Sequence, residues 1–354
     1  MPTTHNTIIV GAGQAGLAAS YHLKQRGIDH IVLNKGRIGE SWLTQRWDSF
    51  VLNTPNLINS LPGKRFHPEN PRNFESTETL VNYFADYAKE MDLPIKNGVT
   101  VTNATRNTDG TNFNITTDQG DYNSQNLIVA SGNQNIATTP AAADKVPANV
   151  TSMTNADFKN PDQLPDGAVM VVGSAQSGAQ ITEELLESGR SVYLSTSKVG
   201  RFRRHIRGKD VLEWVITAGM MNHTPESLEN SLEQYATQPL ASGVGGGRTI
   251  SLQSIAAKGA TLIGRVEDFE NSTVIIKDNI RENIEFADAF SARMIGMINP
   301  AIDKIAPGTP PLDDEPADEP APTNLGVDAP TRLDLNEAGI TSIIWTTGFE
   351  GDYS

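Results

Sequence analysis

Two short glycine-rich segments have the spacing that the phosphates of a dinucleotide require. The segment GAGQAG occupies positions 11–16, and GSAQSG occupies positions 173–178. A pyrophosphate needs backbone N–H donors and the positive end of a helix close to it. In such a turn the first glycine permits the tight bend, the second lets the backbone approach the phosphates, and the third lets helix and strand pack closely. The residues expected to contact phosphate in the first segment are Gly11, Gly13, Gln14, Ala15 and Gly16.

The second segment differs from the first at its middle glycine, which is replaced by Ala175. A methyl group there slightly crowds a pyrophosphate. We nevertheless expect the same role, because this segment also follows a buried strand. The residues expected to contact phosphate are Gly173, Ser174, Ala175, Gln176, Ser177 and Gly178.

The residue at the end of the strand that follows each glycine turn contacts the ribose of the nucleotide and helps to distinguish NAD from NADP. After the first turn this residue is Asn34, followed by Lys35, where an acid ordinarily accepts hydrogen bonds from the ribose hydroxyls. An amide oxygen still accepts those bonds, but without charge. We therefore expect weaker ribose binding at Asn34 and Lys35, with the site retained.

The strand after the second turn ends in Ser195 and Thr196, without a carboxylate, which favours NADP over NAD. A basic run follows immediately, and its members are Lys198, Arg201, Arg203, Arg204, Arg207 and Lys209. We expect Arg201 and Arg203 to clamp the 2′-phosphate through charge-assisted hydrogen bonds. The alternative is a solvated basic loop.

Both glycine segments lie in predicted βαβ units, which is the context that the mechanism requires. The first unit comprises a strand, a helix and a strand at Thr7–Val10, Leu17–Arg26 and His30–Leu33. The second comprises the corresponding elements at Ala168–Val172, Ile181–Ser188 and Ser191–Leu194. The sequence therefore predicts an α/β fold with two Rossmann-like dinucleotide-binding domains, the second being inserted into the first. The predicted boundaries are 1–165 with 331–354 returning to it, 166–305, and an acidic, Pro-rich linker or long loop at 306–330.

Composition excludes several classes of function. The net charge of −14 argues against binding to nucleic acid or to an anionic membrane. The chain has no cysteine, which excludes a disulfide reductase working through a thiol pair and any thiolate metal site, and we expect no metal. The sequence has no apolar run of eighteen residues, so we expect no transmembrane helix and a cytoplasmic protein. An oligomer is possible.

The order of these motifs resembles that of the flavin-containing monooxygenases, including their bacterial relatives, over nearly the whole chain. The segments that carry the resemblance are GAGQAGL, GRIGESW, RWDSFVLNTPN, the strand end at 130–132, GSAQSG and TTGF. The resemblance implies FAD at the first turn, NADPH at the second, molecular oxygen, and a small soft-nucleophile or carbonyl substrate oxygenated through a flavin hydroperoxide. The further residues expected beside the cofactors are Trp42, Ser131, Gly132, Thr347 and Gly348. Trp47 fits core packing and a flavin contact equally well.

The resemblance also suggests a catalytic residue. The segment WDSFVLNT is similar to the family segment whose asparagine contacts the flavin, the nicotinamide and the hydroperoxide, and the matching residue is Asn53. An amide offers a donor and an acceptor and does not titrate. The alternative is a turn residue that bonds its own backbone.

Three departures from the family pattern keep other functions open. Thr154 stands where the family fingerprint has a histidine, Asn34 replaces the acid, and the chain ends six residues after TTG, whereas family members continue into a segment that covers the flavin. We therefore expect a fragment or a shortened relative. The alternatives are an NADPH oxidase or flavin reductase that releases peroxide, and a dinucleotide-binding protein without turnover.

Overall fold

A computed structural model describes residues 2–108, 110–222, 224–227 and 239–353. The chain forms two compact units. The first comprises residues 1–46, 55–137 and 349–354, and the second comprises residues 47–54 and 138–348. Of the Gly-rich stretch at 237–249, residues 237 and 238 lie outside the described residues.

The elements follow in chain order. The strands are β1 (Thr3–Val10), β2 (His30–Asn34), β3 (Ile95–Asn97), β4 (Val101–Arg106), β5 (Phe113–Thr117), β6 (Gly120–Val129), β7 (Ile136–Ala137), β8 (Thr151–Thr154), β9 (Ala168–Val172), β10 (Val192–Ser195), β11 (His205–Ile206), β12 (Lys209–Asp210), β13 (Thr261–Ile263), β14 (Val266–Glu270), β15 (Thr273–Ile276), β16 (Arg332–Asp334), β17 (Ile340–Trp345) and β18 (Phe349–Glu350). The α-helices are α1 (Gln14–Gln25), α2 (Glu40–Thr44), α3 (Thr77–Glu90), α4 (Gln176–Glu187), α5 (Val211–Thr217), α6 (Leu252–Ala257) and α7 (Ile280–Ile305).

The first unit is built on a six-stranded sheet with the order β3-β2-β1-β6-β5-β4. The first four strands in this order are parallel, and β5 and β4 are antiparallel. Ile8 and Ile9 on β1 are fully buried, as expected for a parallel strand that is covered on both faces. The predicted βαβ unit is confirmed, and its helix α1 is followed by Gly27 with φ +65°.

The second unit contains a parallel five-stranded sheet with the order β13-β10-β9-β17-β8. All five residues of the central strand β9 are buried. An antiparallel sheet of β14, β15 and β16 and the 26-residue helix α7 belong to the same unit. The predicted fold class, α/β with two Rossmann-like sheets, is confirmed.

One prediction about the end of the chain differs from the structure. The segment 331–354 does not return as a whole to the first unit, because β17 inserts between β9 and β8 and is buried there. The part after Gly348 returns, through the pairing of β18 with β7. The segment 306–330 is exposed or partly exposed along its length, which is consistent with the predicted linker or long loop. It has little regular structure, but the carboxylate of Asp318 is 6% exposed and is paired with Arg201.

Two candidate dinucleotide sites

Packing alone requires two of the glycines in the first turn. Gly11 has φ +103°, and a Cβ at this residue would lie 2.5 Å from the carbonyl oxygen of Ala130. A Cβ on Gly16 would collide with the carbonyl oxygen of Gly11. Gly13 is different, because its φ is −84° and a Cβ there would meet no heavy atom within 4 Å. The space in front of Gly13 is therefore open, as a phosphate-binding turn requires.

The second turn repeats this geometry. Gly173 has φ +106°, and a Cβ there would lie 2.7 Å from Thr346 Oγ1, while a Cβ on Gly178 would collide with the carbonyl oxygen of Gly173. Ala175 has φ −74° and ψ −171°, close to the φ −84° and ψ −171° of Gly13. The methyl group of Ala175 therefore leaves the backbone of the turn unchanged. Thr346 packs on this turn as Ala130 packs on the first.

Both turns present the start of a helix without a side-chain cap. The N-cap residues Gly13 and Ala175 make no side-chain hydrogen bond, and neither α1 nor α4 has an acidic residue in its first turn. Each helix has 12 residues, so its N-terminal end carries a partial positive charge. Backbone N–H groups at such an end are donors for an anion.

Asn34 is part of the first turn's own hydrogen-bond network. Its Oδ1 accepts from the N–H of Ala12 at 3.0 Å, and its Nδ2 donates to Gly36 O and to Asn97 Oδ1, both at 2.8 Å. A carbonyl oxygen has two lone pairs, so one remains for a ribose hydroxyl. Contact of Asn34, or of the exposed Lys35 beside it, with ribose remains a prediction.

The other residues predicted near the flavin fall in both units. Trp42 lies in the first unit, with the guanidinium carbon of Arg46 5.1 Å from its ring centroid, and burial lowers the pKa of Arg46. The carbonyl oxygens of Ser131 and Gly132 accept from Asn135 Nδ2 and from the Tyr353 hydroxyl, respectively.

The remaining residues lie in the second unit. Thr347 and Gly348 are exposed there. Trp47 is only 4% exposed and packs edge-on against Phe50. Trp47 is therefore a core residue.

The predicted clamp at Arg201 is wrong. The Arg201 side chain is 2% exposed, and its guanidinium is paired with Asp288 and with Asp318, the latter at 3.1 Å. A guanidinium held by two carboxylates inside the unit does not present its donors to a phosphate. The sequence pattern placed a positive charge correctly, but its partners are 87 and 117 residues further along the chain.

Other members of the basic run are also bound to groups of the protein itself. Arg203 is 7% exposed and donates from Nε to the carbonyl of His205, and Arg204 is fully buried and ion-paired with Asp210 at 2.6 Å. Burial lowers the pKa of Arg204, and Asp210 opposes that shift. Lys198 is half exposed and forms a surface ion pair with Glu282. The backbone N–H of the preceding Ser197 donates to Ser174 Oγ at 2.9 Å, which ties Lys198 to the second turn.

The hydroxyls that end β10 hold neighbouring strands together. Ser195 Oγ donates to Gly264 O and accepts from the N–H of Val266, and Thr196 Oγ1 donates to Ile263 O. Both residues are at most 2% exposed. Their predicted role in binding the 2′-phosphate of NADP is therefore not supported by the geometry.

Asn53 is fixed by side chains of α4. Its Oδ1 accepts from Gln180 Nε2 at 2.7 Å, its Nδ2 points to Gln176 Oε1 at 3.4 Å, and its carbonyl oxygen accepts from Arg204 Nη1 at 2.9 Å. The described contacts of this amide therefore run to α4, which favours the interpretation of a positioned amide over a turn residue.

Sequence reasoning missed Gln180. It lies one helical turn after Gln176, so the i, i+4 spacing of two amides was the available signal. Thr154, which replaces the family histidine, donates through Oγ1 to Asp157 Oδ2 at 2.7 Å and closes a local turn before the buried Phe158.

Comparison with known proteins supports the motif analysis. The family described as pyridine nucleotide-disulphide oxidoreductase matches residues 8–230. A CzcO-like uncharacterized oxidoreductase of Geobacillus kaustophilus is 36% identical over 235 residues, which cover 66% of this chain and 65% of that protein. A probable indole-3-pyruvate monooxygenase of Arabidopsis thaliana, YUCCA10, is 28% identical over 64% of this chain and 59% of its own length. The chain thus spans less than two thirds of the length of these two relatives.

Solved structures confirm the fold. A variant of the flavin monooxygenase from Stenotrophomonas maltophilia superimposes with a TM-score of 0.66 and 17% identity, covering 99% of this chain and 80% of that one. The resemblance to flavin monooxygenases inferred from the motifs is confirmed. In the described part of the chain, no helix has the length and apolar character needed to cross a membrane.

Proposed function

The chain belongs to the pyridine nucleotide-disulphide oxidoreductase family, and we propose that it is an FAD-dependent, NADPH-using monooxygenase. The observation that carries the proposal is the pair of glycine turns with matching backbone geometry, each at the start of a helix without a side-chain cap. With no cysteine in its 354 residues, the chain has no thiol pair for disulfide chemistry.

FAD fits the first turn. The open space in front of Gly13 accommodates a pyrophosphate, and the N–H groups at the start of α1 supply donors for it. Asn34 is close enough to the turn to bond Ala12, and its second lone pair suits a ribose hydroxyl. Trp42 offers the aromatic surface of the first unit for the flavin.

NADPH fits the second turn, where Ala175 keeps the backbone of Gly13. Because Arg201 and Arg204 are committed to carboxylates, Lys198 is the member of the basic run that we assign to the 2′-phosphate. The phosphate would replace Glu282 as the partner of this ammonium group.

The FAD, when bound, supplies the redox chemistry between NADPH and molecular oxygen, and the protein supplies orientation and electrostatics. Asn53 contributes a non-titrating amide whose oxygen is occupied by Gln180. One N–H of its Nδ2 donates to Gln176 Oε1 at 3.4 Å, and the other remains to donate to a ligand, which suits the stabilisation of negative charge on reduced oxygen. The substrate class implied by the resemblance is a small soft nucleophile or carbonyl compound.

Two measurements separate this proposal from its alternatives. Anaerobic NADPH should bleach the flavin absorption of the purified protein, which a dinucleotide-binding protein without turnover would not show. In air, the ratio of oxygenated product to NADPH consumed, over a panel of thioethers, amines and ketones, separates a monooxygenase from an oxidase. A ratio of zero across the panel with stoichiometric peroxide would establish the oxidase.

Replacing the catalytic amide tests the role of Asn53. In Asn53→Asp the new carboxylate oxygen would replace the donating Nδ2 and repel developing negative charge. We expect product per NADPH to fall about tenfold or more, matching roughly 1.4 kcal/mol, while NADPH consumption continues and peroxide rises. The matched control is Asn271→Asp, an exposed turn residue with φ +56°, which should behave as the parent. Equal product yields in Asn53→Asp and the parent would remove Asn53 from the mechanism.

A further inference from the structure

A cavity of about 220 Å³ lies within the second unit, along one face of α4. We call it the α4 cavity. It is lined by Trp47, Ser49, Phe50, Val51, Pro161, Gln180, Glu183, Glu184, Glu187, Ser188, Val244 and Arg248. One wall is aromatic and aliphatic, and the other is the polar face of the helix. The cavity therefore combines an apolar surface with a cluster of carboxylates.

The helix supplies its polar wall by spacing alone. Counted from Gln180, the next members of this wall follow after three, four and seven residues: Glu183, Glu184 and Glu187. This spacing places all four side chains on one face of α4. The face is partly buried, since Gln180 is 6% exposed and Glu183 is 2% exposed. A stripe of three carboxylates on a partly buried face carries a desolvation cost that needs compensating charge.

The cations among the described residues compensate two of the three carboxylates of this stripe. Glu183 accepts from Lys258 Nζ at 2.5 Å and from Arg248 Nη2 at 2.8 Å. Glu187 lies 3.8 Å from the same Arg248 nitrogen. Asp48 also acts electrostatically on Glu184, so among the described residues four carboxylates stand against two cations, which leaves a local excess of negative charge.

Glu184 lies between Glu183 and Glu187 and has no ion-pair partner in the described part of the chain. Its Oε2 accepts a hydrogen bond from Ser49 Oγ at 2.6 Å. Burial raises the pKa of the Glu184 carboxyl, and the charges of Asp48 and Glu187 raise it further. A cation in the cavity would relieve this repulsion.

Gln180 provides an independent sign of a ligand. Its Nε2 is used by Asn53 Oδ1 and Ser242 Oγ, whereas its Oε1 has no hydrogen-bond partner among the residues that the structure describes. A buried acceptor without a partner costs about 1–3 kcal/mol. An N–H donor inside the α4 cavity would satisfy it.

We propose that the α4 cavity is a binding site for a small primary organic ammonium ion. Its N–H groups would donate to Glu184 and to Gln180 Oε1, and its charge would balance the carboxylates. Its alkyl part would pack against Trp47, Phe50 and Val244. The aromatic rings of Trp47 and Phe50 also favour a nearby cation. The site holds neither dinucleotide turn, and it shares Gln180 with the proposed catalytic residue Asn53.

The test is calorimetric titration of the purified full chain, as isolated, with n-butylammonium chloride at constant ionic strength. The comparison ligands are n-butanol, which keeps the apolar part, and potassium butyrate, which reverses the charge. We expect butylammonium to bind at least about tenfold more tightly than butanol, since a charge-assisted bond is added, and butyrate not to bind. Equal affinities for butylammonium and butanol, or no heat with butylammonium, would overturn the proposal.

Variants place the binding at the cavity. Glu184→Gln together with Glu187→Gln removes two charges and leaves the ion-paired Glu183 intact, so the fold should be retained. We expect this double variant to lose affinity for butylammonium about ten- to a hundredfold. The control is Glu267→Gln, an exposed carboxylate on β14 that does not line the cavity. Unchanged affinity in the double variant would show that the ammonium ion binds elsewhere and would refute the assignment.

Discussion

Gly13→Val should purify as a folded protein without bound FAD. The fold should tolerate this substitution, because a Cβ at Gly13 meets no protein atom within 4 Å and the φ of −84° is ordinary for any residue. The valine side chain would instead occupy the space where the pyrophosphate approaches the turn. Losing two charge-assisted phosphate contacts at about 1.5 kcal/mol each lowers the affinity for FAD roughly a hundredfold or more.

The measurement for Gly13→Val is the flavin-to-protein absorbance ratio after purification, together with the melting temperature of the apoprotein. Gly296→Val, at an exposed glycine on α7 whose added Cβ also meets nothing within 4 Å, is the matched control and should stay yellow. Gly16→Ala should instead impair folding, because its Cβ would collide with the carbonyl oxygen of Gly11. Full flavin occupancy in Gly13→Val would place the FAD pyrophosphate elsewhere.

Arg201→Met should lower the stability of the protein without changing its nucleotide preference, whereas Lys198→Met should change the nucleotide preference without lowering the stability. Arg201→Met leaves the buried carboxylate of Asp318 without its cation, which we expect to lower the free energy of unfolding by about 3–5 kcal/mol. The ratio of kcat/KM for NADPH to that for NADH should not change, because the guanidinium faces Asp288 and Asp318 and no phosphate.

Lys198→Met should leave the melting temperature nearly unchanged, since its ion pair with Glu282 is exposed on both sides. If Lys198 binds the 2′-phosphate, its loss narrows the preference for NADPH about ten- to a hundredfold. Denaturant unfolding and steady-state kinetics with both nucleotides measure the two quantities. A smaller preference for NADPH over NADH in Arg201→Met, with unchanged stability, would show that Arg201 binds the 2′-phosphate.

Local patterns in the sequence were sufficient for the two dinucleotide turns. A buried strand, a glycine turn and a helix occupy about thirty consecutive residues, so their geometry depends on neighbours in the chain. The φ of +103° at Gly11 and of +106° at Gly173 follow from that local requirement. The segment containing Asn53 was also identified from consecutive residues.

Only the tertiary structure decided which charges and strands meet. The sequence determined that Arg201 is cationic and follows β10, but its partners Asp288 and Asp318 come from α7 and from a segment of irregular structure. In the same way β17 joined the sheet of the second unit, because its buried residues pair with β9 and β8. Turn geometry and helix periodicity act over a few residues and are written in the sequence, whereas ion pairing and strand neighbours depend on which distant segments the fold brings together.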